Sequence, residues 1–345
     1  MPLTSSRSGQ TISHSGQKRR RVLALGLGAL VSPLGALAQQ PNKIRRIGFL
    51  GLRSRSTPSN PDVYYDAFVQ GLRGLGYIEG QNLIIEWRFA NLKYELLPRL
   101  AAELVQAKVE VIVTHASQGV PALMKLTTTI PIVHVAMGDP ISQGFAASLA
   151  RPGGNVTGLS SIGPDLVPKQ LELLMIATRK LSRVAILMQP NETSHPEILR
   201  VARENASKAG ITILPVTADT PDEIERAFAT MKRERAGAVI ILISSFFGSQ
   251  RRQIAGLAAQ LRLPSIYFAS EYAKAGGLMS YGNYQADQYR YGATYVDKIL
   301  KGAKPGDLPI EQPNRYYLTL NRKTAKTLGL TLPQEFLIRA DEVIE

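Results

Sequence analysis

The chain has no cysteine among its 345 residues. That single absence excludes disulfides, thiolate metal sites, a thiol nucleophile and a lipid-modified N-terminal cysteine. Histidine is scarce, at four. His14, His115, His134 and His195 lie too far apart to form a His-x-x-x-His metal pair. No Gly-x-x-x-x-Gly-Lys phosphate loop and no nucleophile elbow occurs. Beyond the N-terminal segment no apolar run is long enough to cross a bilayer. Acids are outnumbered by bases, 27 to 41, yet no basic helix interleaved with aromatics is present. A nucleic-acid partner is therefore not expected, and neither is an enzyme, a metal or a cofactor.

What is present begins with an export signal. Lys18-Arg19-Arg20-Arg21 leads into the apolar, Gly/Ala-rich run from Val22 to Leu37, which closes on Ala36-Leu37-Ala38. A basic start, a short apolar stretch and a small-x-small cleavage site predict a leader over residues 1–38, removed near Ala38. The alternative is an uncleaved anchor, although Ser32-Pro33 interrupts the run. Three consecutive arginines serve either the twin-arginine or the general secretory route. Removing the leader lowers the formal charge from +14 to +9 and leaves about 307 residues, enough for two ordinary domains. An exported chain without a lipid anchor is expected in a periplasm, provided the source is a diderm bacterium whose outer membrane retains it.

The mature chain alternates short β-branched runs with amphipathic stretches. Strands are predicted at 46–50, 83–87, 109–114, 130–135, 184–188, 211–216, 238–243 and 264–268. Helices are predicted at 63–75, 94–107, 122–127, 167–178, 196–209, 221–231, 251–261 and 285–301. Such alternation gives parallel sheets covered on both faces, and apolar strands such as Ala238–Ile243 suit burial on both sides. The turn-rich run Arg151–Gly158 divides the series once. The fold expected is α/β, with two doubly wound parallel-sheet lobes joined by a hinge.

In such sheets ligands sit beyond the carboxyl ends of strands, where loops enter helix N-termini. The chemically rich junctions are Gly51–Thr57 with Tyr64 and Tyr65, Thr114–Gly119, Gly138-Asp139-Pro140 and Ser244–Gly248. Candidate ligand contacts are Ser54, Tyr64, Thr114, Ala116, Ser117, Gly138, Asp139, Asn191, Ser244, Ser245, Phe246, Glu271 and Tyr281. Each hydroxyl could equally be an N-cap, worth about 1 kcal/mol with no ligand at all. Asp139 could cap the next helix, Glu271 could be a solvated acid at a helix start, and half the aromatics could be ordinary core. His134, inside an apolar strand, reads as a satisfied core histidine.

Three segments carry a resemblance: Gly138-Asp139-Pro140, Ser148–Gly158 and Ile299–Pro305, together with the tail motifs Asn321–Ala325 and Leu328–Pro333. With them the chain resembles, from Ile47 to about Leu337, the ABC-transporter substrate-binding family that includes tryptophan/tyrosine-type binding proteins. The resemblance implies a type I periplasmic-binding-protein fold whose lobes close on a solute. Its three crossovers would fall near Thr157–Ser160, Ser280–Gly282 and Pro309–Arg315. Lobe one would be residues 43–157 plus 283–310, and lobe two 158–282 plus 311–345. The expected ligand is an amino acid or a related, partly apolar carboxylate, with Ser117 and helix N–H groups on the carboxylate. Asp139 or Glu271 would take an ammonium. The expected partner is an inner-membrane ABC permease, with the binding protein a monomer. A sensory protein presenting its ligand to a receptor, an exported enzyme on the same architecture and a sugar-responsive regulator are the alternatives.

Overall fold

The computed structural model describes residues 44–345 apart from 59, 60, 161, 162, 179 and 314, so the leader expected over residues 1–38 lies outside the described residues. The chain opens with β1 (Arg45–Gly51), α1 (Val63–Gly74), β2 (Leu83–Phe89), α2 (Leu97–Gln106), β3 (Ile112–Thr114), α3 (Val120–Leu126), β4 (Ile132–Met137) and β5 (Val156–Ser160). These five strands form one parallel sheet in the order β2-β1-β3-β4-β5. A second series follows: α4 (Gly163–Ala177), β6 (Arg183–Met188), α5 (His195–Lys208), β7 (Thr212–Thr217), α6 (Pro221–Arg233) and β8 (Ala238–Ile241). It continues through α7 (Ser245–Ser249), α8 (Arg251–Gln260), β9 (Ser265–Tyr267), α9 (Ser270–Lys274) and β10 (Met279–Gly282). The chain then returns as α10 (Gln285–Leu300) to the first sheet. It ends with β11 (Tyr317–Asn321), α11 (Arg322–Thr327), α12 (Gln334–Ile338) and β12 (Glu342–Ile344) on the second.

Local chemistry explains where the helices begin. Proline stands in the first two positions of α2, α3, α5 and α6, where its missing N–H breaks no hydrogen bond. Each sheet is then sandwiched. Phe68 and Leu72 of α1 and Tyr289, Ala293 and Val296 of α10 cover one face of the first sheet. Leu100, Leu104 and Leu123 of α2 and α3 cover the other. In the second sheet Ile198 and Ala202 of α5 join Phe336 of α12 on one face, while Ile224, Phe228 and Ile254 fill the other. Strand β8 is buried along its whole length, as its unbroken apolar run requires.

The structure adds strands that periodicity did not show. β5 starts inside the turn-rich run at Val156 and continues in the first sheet to Ser160. Its neighbour is the returning chain: Ser160 N donates to Glu311 O at 2.9 Å, and Thr157 Oγ1 to Leu308 O at 2.7 Å. The second sheet is also not wholly parallel, because β11 runs antiparallel to β10. The reason is geometric. Gly282 ends β10 opposite Tyr317, the first residue of β11, so both lie where the chain passes between the sheets. A strand entered from that end must run backwards relative to its neighbour. No helix among the described residues is long and apolar enough to cross a membrane.

Candidate functional site

Both sheets reverse their winding at one strand. β1 sits between β2 and β3, and β6 between β7 and β8, so the loops after β1 and β3, and after β6 and β8, open a crevice in each sheet. The four loops meet around a single cavity of about 430 Å³, a size that suits a small metabolite. The two walls come close where Gly138, after β4, faces the Ser194 side chain.

On the wall of the first sheet, Arg53 is clamped. Its Nε and Nη2 donate to the two Asp62 carboxylate oxygens at 2.7 and 3.3 Å, and Nη2 also donates to the Tyr289 hydroxyl at 3.3 Å. Its guanidinium carbon lies 4.8 Å from the Tyr64 ring centroid and 5.0 Å from that of Tyr65, within cation–π range. Asp62 in turn caps α1, its Oδ1 accepting from Tyr64 N and Tyr65 N. No hydrogen bond among the described residues uses the Arg53 Nη1 hydrogens, so among these residues one prong of the planar fork is left unused.

Ser117 is oriented by a histidine behind it. Ala136 N donates to His134 Nδ1 at 3.1 Å, which makes Nδ1 an acceptor and leaves the ring proton on Nε2. Nε2–H therefore donates to Ser117 Oγ at 3.1 Å, and the Ser117 hydroxyl hydrogen is left to point elsewhere. His134 is fully buried, and burial holds it neutral with its pKa lowered to about 3. His115 lines the cavity beside it; among the described residues neither ring nitrogen has a hydrogen-bond partner. Burial, then the nearby Arg53 charge, keeps this ring neutral too.

The opposite wall is braced in the same manner. Gln189 N donates to His195 Nδ1 at 3.0 Å, so His195 Nε2–H donates to Ile243 O at 2.9 Å and ties the β6 loop to the β8 loop. Ser244 donates to Gln189 Oε1 and accepts from Phe247 N as the cap of α7. Burial lowers the His195 pKa to about 4. These shifts make an acid-sensitivity prediction. A histidine held neutral in the fold has a depressed pKa, so its contribution is complete above the unfolded value near 6.5 and is lost as pH falls below it. For His195 the loss runs down to about pH 4, and for His134 to about pH 3. Urea titrations should show about 2 kcal/mol lost per histidine between pH 7 and 5. A flat profile over that range would mean that neither ring is neutral because of burial.

Seven of the candidate residues line the cavity: Ser54, Tyr64, Ser117, Gly138, Ser244, Ser245 and Glu271. Burial and the adjacent Glu271 carboxylate push the Tyr64 hydroxyl well above its usual range. Six do not line it, and each has a local reason. Thr114 donates to Leu50 O at 2.9 Å and accepts from Ala116 N, and Ala116 packs in the core of the first sheet. Asp139 caps no helix, because none begins there; it closes the turn after β4, its Oδ1 accepting from Ile141 N and Ser142 N at 3.0 and 3.3 Å. Asn191 donates to Asp219 at 2.8 Å. Phe246 is in the core of the second sheet, and Tyr281 packs against Tyr316 with centroids 5.8 Å apart.

The site also holds residues outside that set: Arg53, Asp62, His115, Glu192 and Tyr289. Arg53 and His115 stand in junctions the sequence marks as rich, but nothing along the chain separates them from ordinary loop residues. Tyr289 lies mid-helix on α10, which reaches the site only because the chain returns to the first sheet. Among the described residues no cluster of three or more His, Asp or Glu side chains could hold a metal ion.

A sequence model described as "ABC transporter substrate binding protein" matches residues 57–344. A tyrosine-binding protein of Clostridioides difficile is 23% identical over 264 residues, covering 76% of this chain and 75% of that protein. An ABC domain from Streptococcus pneumoniae, crystallised with L-Trp, superposes with a TM-score of 0.79 at 26% identity, over 87% of this chain and 99% of its own. A conserved domain protein of Vibrio cholerae gives a TM-score of 0.81 at 27% identity, over 87% and 100%.

Proposed function

Since the chain belongs to the ABC transporter substrate-binding protein family, we propose that it is the periplasmic solute-binding component of an ABC importer, capturing an amino acid or related carboxylate. Two lobes, one built on each sheet, close about the three chain crossings and hand the solute to an inner-membrane permease. The observation that carries this reading is one cavity shared by the switch points of both sheets, with Arg53 and Ser117 on one wall and Glu192, Glu271 and Arg251 on the other. The ligand carboxylate meets the Ser117 hydroxyl, which His134 frees to donate, and the unused prong of Arg53. Its positive nitrogen faces the wall to which Glu271 belongs, and Tyr64, Phe268 and Tyr289 enclose its apolar part. The relatives named with tyrosine and with L-Trp agree with this choice of ligand class.

A thermal-shift screen of the mature protein against amino acids and aromatic carboxylates tests it, because a ligand that binds only the folded form raises Tm. At least one amino acid is expected to raise Tm by several degrees. Ser117→Ala is expected to weaken that ligand about 10- to 100-fold, the value of a hydrogen bond to a charged group. Binding of benzoate-like acids with no response to any amino acid would overturn the amino-acid assignment.

A further inference from the structure

Glu192 lies in the loop after β6 and lines the cavity. It sits where the walls meet: Gln118, from the β3 loop of the first sheet, contacts the Glu192 carboxyl, and its Nε2 donates to Asn191 O at 3.3 Å. Beside it, Gln189 Nε2 donates to the Tyr94 hydroxyl at 2.9 Å across the same boundary and to Asp219 at 2.7 Å. The titratable groups next to Glu192 are Tyr94, from the turn before α2, and His195, whose backbone N–H donates to Glu192 O at 3.2 Å; Arg53, His115, Arg251 and Glu271 line the same cavity. No Lys, Arg or His side chain among the described residues forms an ion pair with Glu192. Of the two arginines lining the cavity, Arg53 is committed to Asp62 and Arg251 donates to Gly248 O at 2.9 Å.

Glu192 is partly exposed to the cavity, and a carboxylate held there with no cation beside it is stabilised by a ligand cation or by a proton. We propose that Glu192 makes a cationic nitrogen on the ligand obligatory: a ligand that brings one closes the cleft on an ionised Glu192, and a ligand that lacks one closes it only with proton uptake. This rests on the amino-acid reading above and names the group that separates amino acids from plain carboxylic acids. The two cases differ in sign. With no cation beside it, burial pushes the Glu192 carboxyl up to about 7, above the ordinary carboxylate range. A ligand without a cation should therefore lose affinity as pH rises from about 5 to 7, approaching tenfold per unit. A ligand whose ammonium replaces the proton should not.

Calorimetry at pH 5.5, 6.3, 7 and 8 tests this with L-tyrosine and 3-(4-hydroxyphenyl)propanoate, which differ only in the ammonium group. In the wild type, tyrosine should bind at pH 7 at least about 100-fold more tightly than the analogue, and only the analogue should weaken with pH. Glu192→Gln should move the ligands in opposite directions, weakening tyrosine and strengthening the analogue at pH 7, and should abolish the analogue's pH slope. Glu271→Gln should reduce discrimination yet leave that slope in place. Any proton exchange by His115 on closure acts on both ligands and cancels between wild type and variant. If Glu192→Gln leaves discrimination and slope unchanged while both ligands bind, Glu192 is a bystander and the proposal fails alone. If the wild type binds neither tyrosine nor any other amino acid, the amino-acid reading fails, and this proposal with it.

Discussion

Asp62→Ala should destabilise the protein by about 3–5 kcal/mol, although it removes a single small side chain. Asp62 and Arg53 are paired at 2.7 Å with side chains only 15% and 16% exposed. Deleting the acid leaves a guanidinium among the rings of Tyr64, Tyr65 and Tyr289 with no counter-charge, the situation in which breaking a buried pair is most costly. It also removes the cap of α1, worth about 1 kcal/mol within that total. Chemical denaturation should show the loss, and Tm should fall by roughly 10 °C at 2–4 °C per kcal/mol. The double variant Arg53→Met/Asp62→Ala should recover part of it, because the stranded charge is then gone. A single-variant loss below about 1 kcal/mol would show that water reaches Arg53 freely.

Gly282→Ala should cost at least about 3 kcal/mol, and for a different reason. A methyl group at position 282 would overlap the backbone carbonyl oxygen of Phe268. Backbone cannot swing aside as a long side chain can, so β10 must separate from the end of β9. That separation falls where β10 gives way to the crossing toward α10 and beside Phe268, which lines the cavity. Ligand affinity should therefore fall together with the urea midpoint. Unchanged affinity with full stability would mean that the strands part at no cost and that the hinge does not depend on this contact.

The features legible in the chain were those with a local cause. Continuous β-branched runs and 3.6-residue patterns gave β1–β4, β6–β9 and the long helices, because hydrophobic spacing is set by which faces each element buries. The junctions after β1, β3, β4 and β8 were legible for the same reason: a strand followed by hydroxyl or glycine residues and then a helix can be read along the chain. Residues from all four line the cavity. Strands β5, β10, β11 and β12 were not legible. They are short, contain or adjoin turn formers, and are strands because a neighbour offers an edge, as when Asn321 N donates to Leu278 O.

Within the site the same division recurs. Ser54, Ser117, Ser244, Ser245 and Glu271 follow strands directly, and position was a sufficient guide. For Asp139 it was insufficient, because an acid before proline can satisfy N–H groups two and three residues on without facing a ligand. Arg53 and Glu192 pose the opposite case. Along the chain each is one more charged residue in a loop, and nothing local distinguishes a paired or buried charge from a solvated one. Arg53 is singled out by the approach of Tyr289 from a helix more than two hundred residues away, and Glu192 by that of Gln118 from the other sheet.

Alternating hydrophobicity and turn chemistry act over a few residues, and they were enough to dictate two wound sheets and the kind of loop in which a ligand would be met. Which side chains share the cavity, which hydroxyls are spent as caps and which charges are left without a partner depend on groups brought together from opposite ends of the chain. Those contacts are fixed by packing between the sheets, and no stretch of sequence contains them.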